Sequence, residues 1–111
     1  MWIMVAGPYR SGSDDPEQWA ENLRAMNRAA YAVFCKGHVP IIGVNLALPV
    51  IKEAQGHTYE EIMMPLSLEA AKRCDAILRI GGPSVGADQE VESFLKRGLP
   101  VYRNLDEVPT S

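Results

Sequence analysis

CDAILRIGGPSVGADQEVESFLKRGLPVYR, residues 74–103, decides the fold. It reads as strand, glycine-rich turn, helix and strand. Ala76 to Ile80 is a short, mostly apolar run of the kind buried on both faces of a sheet. Gly81-Gly82-Pro83 ends it, because glycine permits positive φ and proline lacks the donor a ladder needs. Val91, Phe94 and Leu95 then recur at helical spacing. Gly98 stops that helix, and Leu99 to Tyr102 begins another strand. Two strands joined through one helix form a parallel pair with a right-handed crossover. Ligands of open parallel sheets sit beyond the carboxyl ends of the strands. The loop from Gly81 to Asp88 lies at such an end, and chemistry is sought there first.

Upstream, Trp2 to Ala6 reads as the first strand and Gly7 to Ser13 as the loop that leaves it. Asp15, Pro16 and Gln18 predict a capping box. Trp19, Leu23, Met26, Ala30, Val33, Phe34 and Gly37 form one stripe of a long amphipathic helix that Gly37 ends. Val39 to Ile42 reads as a strand, placed at an edge by Pro40. Pro49 and Gly56 interrupt Gly43 to His57, which reads as a long loop with no more than a helical turn. Thr58 and Glu61 make a second capping box, followed by a helix that Pro65 kinks or restarts. Leu105 to Thr110 reads as a short tail. Strands alternating with helices predict a single α/β domain over residues 1–111, three layers around a mostly parallel sheet of four or five strands.

Composition narrows the partners. With 111 residues, 47% hydrophobic and 23% charged, the chain is an ordinary globular domain rather than a disordered one. A net charge of −3 without a basic patch excludes duplex nucleic acid. No apolar run reaches the ~20 residues of a membrane span, and no signal peptide is evident, so a cytoplasmic protein is expected. Cys35 and Cys74 fit no metal spacing and read as buried, reduced thiols. No cofactor and no metal are called for.

Glu90 is the sharpest chemical candidate. It follows the Gly81–Asp88 loop and lies four residues before Phe94, on the border of the buried stripe, whereas Glu92 points outward. A poorly hydrated carboxylate there suits a nucleophile or general base; it equally suits a charge complementing the helix dipole. Ser84 and Gly86 offer a hydroxyl and backbone amides for a phosphate or carboxylate, or simply an N-cap and a turn. Asp88 is a second carboxylate or a first-turn charge. In the first loop, Gly7 allows a tight turn, Tyr9 can stack on a planar ring and Arg10 can bind a phosphate. Asp75 and His38 start strands at the opposite end and read as structural. Neither a P-loop nor a dinucleotide fingerprint is present.

Three places carry a resemblance: Val5-Ala6-Gly7-Pro8-Tyr9, Cys74-Asp75-Ala76-Ile77-Leu78, and Ser84-Val85-Gly86-Ala87-Asp88-Gln89-Glu90 followed by Gly98-Leu99-Pro100-Val101-Tyr102. Together they resemble the nucleoside 2-deoxyribosyltransferase-like superfamily, in particular its short, poorly characterised branch, DUF4406. The resemblance implies a flavodoxin-like (Rossmann-like) fold and cleavage of the N-glycosidic bond of a nucleoside or nucleotide. It gives Glu90 the role of nucleophile on the anomeric carbon, and puts Ser84 and Arg10 near a 5′-phosphate. It also implies a homo-oligomer. Ser67 stands where such enzymes carry an acid that protonates the leaving base, and Asp88 where they carry glycine. The competing readings are a nucleotide-binding module without turnover and an oligomeric scaffold.

Overall fold

A computed structural model describes residues 1–111. In chain order the elements are β1 (Trp2–Ala6), α1 (Pro16–Cys35), β2 (Val39–Ile41), α2 (Gly43–Glu53), α3 (Tyr59–Ala71), β3 (Ala76–Arg79), α4 (Val85–Lys96) and β4 (Val101–Tyr102), with a 3₁₀ turn at Leu105–Glu107. The four strands make one parallel sheet in the order β2-β1-β3-β4. Ile3 pairs with Ala76 and Val5 with Leu78 in the central register. The predicted strand count, parallel pairing and edge position of the proline-bearing strand all hold.

Alternation along the central strands sorts the two cores. Ile3, Val5, Ala76 and Leu78 pack with Met26, Ala30 and Val33 of α1 on one face. Met4, Ala6 and Ile77 pack with Ala71, Val91 and Phe94 on the other. Helices therefore cover both faces, giving the three-layer flavodoxin-like sandwich. From β1 the chain crosses to β2 on one side, and β3 then falls on the other. The strand order thus reverses between β1 and β3, and the loops leaving those two strands sit side by side.

Several expectations need correction. Residues 43–53 form a helix, not a loop. Pro49 sits inside it and Pro65 sits inside α3, yet neither helix breaks. The bonds these prolines forfeit would run to the carbonyls of Asn45 and Glu61, both on exposed residues, where an unpaired carbonyl costs least. The helix at 43–53 buries Ala47, and Gly43 closes directly on α3. A Cβ at Gly43 would lie 2.8 Å from Ser67 Cβ and 3.3 Å from its Cα. Gly43→Ala should therefore push α2 off α3 and cost about 1–3 kcal/mol, read as a lower urea midpoint at unchanged slope.

Asp15 caps α1 by accepting from Glu17 N at 3.0 Å, and Gln18 turns forward to donate to Asn22 Oδ1 at 2.9 Å instead of closing a box. Thr58 and Glu61 do form theirs. Phe34 and Leu95 border their stripes and are exposed, at 63% and 54%; Cys35 is exposed as well, while Cys74 is buried. The C-terminal segment is docked rather than loose. Lys36 Nζ donates to the Leu105 and Val108 carbonyls at 2.9 and 2.8 Å, His38 Nε2 bonds the Pro109 carbonyl, and Val108 enters the core. Asp75 accepts from Trp2 N at 2.8 Å, so it and His38 hold the end of the sheet remote from the β1 and β3 exits. No helix is long and apolar enough to cross a membrane.

Candidate functional site

Two loops meet at the strand-order reversal, and small residues let them meet closely. A Cβ at Gly7 would lie 2.9 Å from the Ile80 carbonyl oxygen. Gly81 has φ +77°, a conformation L side chains rarely adopt, and a Cβ there would press Pro8 at 2.7 Å. Ser84 then turns the chain into α4. Its backbone is extended and its Oγ accepts from Ala87 N at 3.2 Å, so it is the N-cap. Ser11 Oγ donates to the same hydroxyl at 3.1 Å, tying the loop after β1 to the start of α4.

These loops, α3 and the start of α2 enclose a cavity of about 210 Å³. Of the residues singled out in the sequence, Gly7, Tyr9, Arg10, Ser84, Gly86 and Glu90 all line it. Asp88 does not: its carboxylate turns to Arg79, with Arg79 Nε donating to Asp88 Oδ1 at 3.2 Å. That distance and its 65% exposed side chain identify a first-turn anchor outside the cavity.

Glu90 is 9% exposed and its carboxyl receives no hydrogen bond from the chain. Burial pushes it up to about 7, with the Arg79 charge working against that rise. Near neutral pH it therefore passes between acid and carboxylate. Burial also raises the Tyr59 phenol above its ordinary value.

Arg10 is the cation on the rim. Its guanidinium lies 4.2 Å from the Trp19 ring centroid and 3.7 Å from that of Tyr59, a sandwich of two cation–π contacts. Trp19 is itself fixed by donating from Nε1 to the Ser13 carbonyl at 2.7 Å, and Asn22 Nδ2 holds the Tyr9 carbonyl at 2.8 Å. The first half of α1 thus braces the loop after β1. With both faces stacked, the edge donors of Arg10 remain for an anion.

The α3 wall went unread in the sequence apart from Ser67. Tyr59, Glu60, Met63 and Ser67 reach the cavity from successive turns of that helix, with Met64 beside Gly86. Their spacing of three to four residues after the Thr58 cap was the available signal. Ser67 is 2% exposed and shares the cavity with Glu90. Ser11 and Val44 complete the lining. No group of three or more His, Cys, Asp or Glu side chains is arranged to hold a metal.

The arrangement presents a buried, partnerless carboxyl facing hydroxyls, aromatic rings and one edge-exposed guanidinium. No family model matches the sequence, and no curated protein does. A solved structure does match: the 2-deoxyribosyltransferase from the psychrotolerant bacterium Bacillus psychrosaccharolyticus. It is 20% identical with a TM-score of 0.66, over 91% of this chain and 69% of that one. The chain thus shares the flavodoxin-like α/β fold of that deoxyribosyltransferase.

Proposed function

We propose that this single domain cleaves the N-glycosidic bond of a nucleoside or nucleotide, with Glu90 as nucleophile. The observation that carries the proposal is the Glu90 carboxyl: buried, without a hydrogen bond, and open to the cavity between the β1 and β3 loops. A carboxylate oxygen attacks C1′ and forms an ester to the sugar, while the C1′–N bond breaks and its electron pair leaves with the base. Water, or a second base, then attacks C1′ and frees Glu90. Tyr9 packs on the sugar or base, and Ser84, Gly86 and Arg10 hold the 5′ end. The departing base needs a proton, and Ser67 is a poor source. Glu60, two turns before Ser67 on the same helix, is the carboxyl available on that wall. The shared fold and the Ser-x-Gly-x-x-x-Glu element support an enzyme of the deoxyribosyltransferase type, in the short branch that the sequence resembles.

The presence of Ser67 favours a second reading, a nucleotide-binding module without turnover. Incubation with a panel of nucleosides and 5′-monophosphates, with chromatography for free base, separates the two. Base release supports the enzyme; thermal stabilisation without release supports the binding module; neither signal overturns both. The active form is the ionised carboxylate of a group at about 7. Base release should therefore fall about tenfold per pH unit below that value and level off above it. A rate flat from pH 5 to 8 would exclude Glu90 as nucleophile.

A further inference from the structure

Arg79 is a buried arginine at the carboxyl end of a central strand, and the proposed reaction does not use it. Ile77, two residues earlier, packs against α4 with Val91 and Phe94, so the pleat sends Arg79 to the same side. There each of its three nitrogens donates one hydrogen bond. Nε donates to Asp88 Oδ1 at 3.2 Å, Nη2 to the Gly82 carbonyl at 2.8 Å and Nη1 to the Ile80 carbonyl. The three contacts tie the Gly81–Gly82 turn to the first turn of α4. The charge of Arg79 reaches Glu90, yet the two side chains make no ion pair.

Other charged and titratable groups also stand around Glu90, and none of them makes an ion pair with it. From the loop after β1 come Tyr9 and Arg10, the latter stacked between Trp19 and Tyr59. From α3 come Tyr59, whose phenol burial keeps neutral, and the exposed Glu60. Cys74, before β3, has its thiol held at about 11 by burial and is also neutral. Asp88 shares α4 with Glu90 but faces Arg79.

We propose that Asp88 and the turn carbonyls tether the Arg79 guanidinium short of Glu90. Arg79 is then a positioning residue that lends the cavity carboxyl a neighbouring positive charge while leaving its oxygens free for a ligand. A carboxylate locked in a direct ion pair is a poorer nucleophile, and one without any cation nearby is harder to ionise when buried. The tether gives an intermediate state. It also gives Asp88 a purpose at a position where the resembling motif carries glycine. The inference rests on the reading of Glu90 as the working group, but its test needs no turnover and can fail separately.

The experiment is a carbon-detected NMR titration of the Glu90 carboxyl in the intact, substrate-free protein, in the parent, Asp88→Ala, Arg79→Met and the double variant. Arg79→Met should raise the Glu90 midpoint by about one pH unit, because a stabilising cation is lost. Asp88→Ala removes the acceptor of Arg79 Nε and should lower the midpoint by about as much, because the guanidinium, freed on that side, moves toward Glu90. In the Arg79→Met background Asp88→Ala should do nothing. An Asp88→Ala midpoint equal to the parent's, or the same displacement in both backgrounds, would overturn the tether. Should Arg79→Met fail to fold, Asp88→Ala alone decides, since its site is exposed. A displacement that persists in 1 M salt supports a moved guanidinium; one that vanishes marks only the screened loss of a surface charge and refutes the proposal.

Discussion

Replacing Glu90 by Gln is expected to remove base release by at least about a thousandfold while making the folded protein more stable above neutral pH. The two effects have one cause. The unfolded chain ionises this carboxyl near 4.5, and the folded chain only near 7, because burial disfavours the charge. Between those values the folded state holds a proton that the unfolded state has released, so stability falls as pH rises through the window and levels off above it. The displacement corresponds to about 3 kcal/mol at pH 8. Gln carries no charge to bury, so the variant should gain up to that amount at pH 8, little at pH 4, and should lose this part of the pH slope. Urea unfolding at the two pH values checks the stability, and chromatography of free base checks the rate. A variant that is inactive yet no more stable at pH 8 would mean that Glu90 is solvated in the folded protein, against the burial on which its chemistry depends. Stabilisation at the expense of function is the usual signature of a site built for work rather than for packing.

Phe94→Ala should be the most damaging change outside the site. Phe94 is fully buried at the centre of the core between the sheet and α4, beside Ile77 and Val91. Truncation removes the ring and leaves a void that a domain this small fills only in part, at about 3–5 kcal/mol. Domains of this size have total stabilities of about 5–15 kcal/mol, so the variant should be partly unfolded at 37 °C. Because Val91 and Glu90 ride on the same helix, any folded remainder should also titrate Glu90 at a lower midpoint as water enters. Chemical denaturation and the midpoint of a thermal melt measure the first effect, and the NMR titration measures the second. A loss below 1 kcal/mol would contradict the packing of the α4 face.

Much of this architecture is written locally in the chain. The β3 and α4 segments carry their own signals: an apolar run without charge until Arg79, a glycine turn, and a helix opened by Ser84. Strand one is legible to its residue limits, because the glycine and proline after Ala6 are unambiguous. The α2 helix is not legible, since Pro49 looks like a breaker until one knows which side of the helix meets water. Val44, Ala47, Leu48 and Ile51 do follow helical spacing, and only contact with α3 lets that pattern outweigh the proline. Burial of Glu90 was foreshadowed by its place beside the Phe94 stripe. Arg79 is not legible in this way, because the mostly apolar run from Ala76 to Ile80 says nothing of what would meet its one charge. Only the arrival of Asp88 and the turn carbonyls around it makes a buried guanidinium tolerable. The α3 wall was hidden for another reason: nothing in the local sequence says that Tyr59 lies against Arg10.

That last contact makes the protein its own reporter. A guanidinium lying on an indole perturbs its fluorescence, and Arg10 lies on Trp19 at the edge of the cavity. An anionic guest that draws Arg10 toward itself should change the emission of Trp19 without any added dye. Trp2 sits at the opposite end of the first strand, so Trp2→Phe would leave a single emitter beside the cavity. Occupancy could then be followed by eye-of-the-site spectroscopy, even for guests that are never turned over.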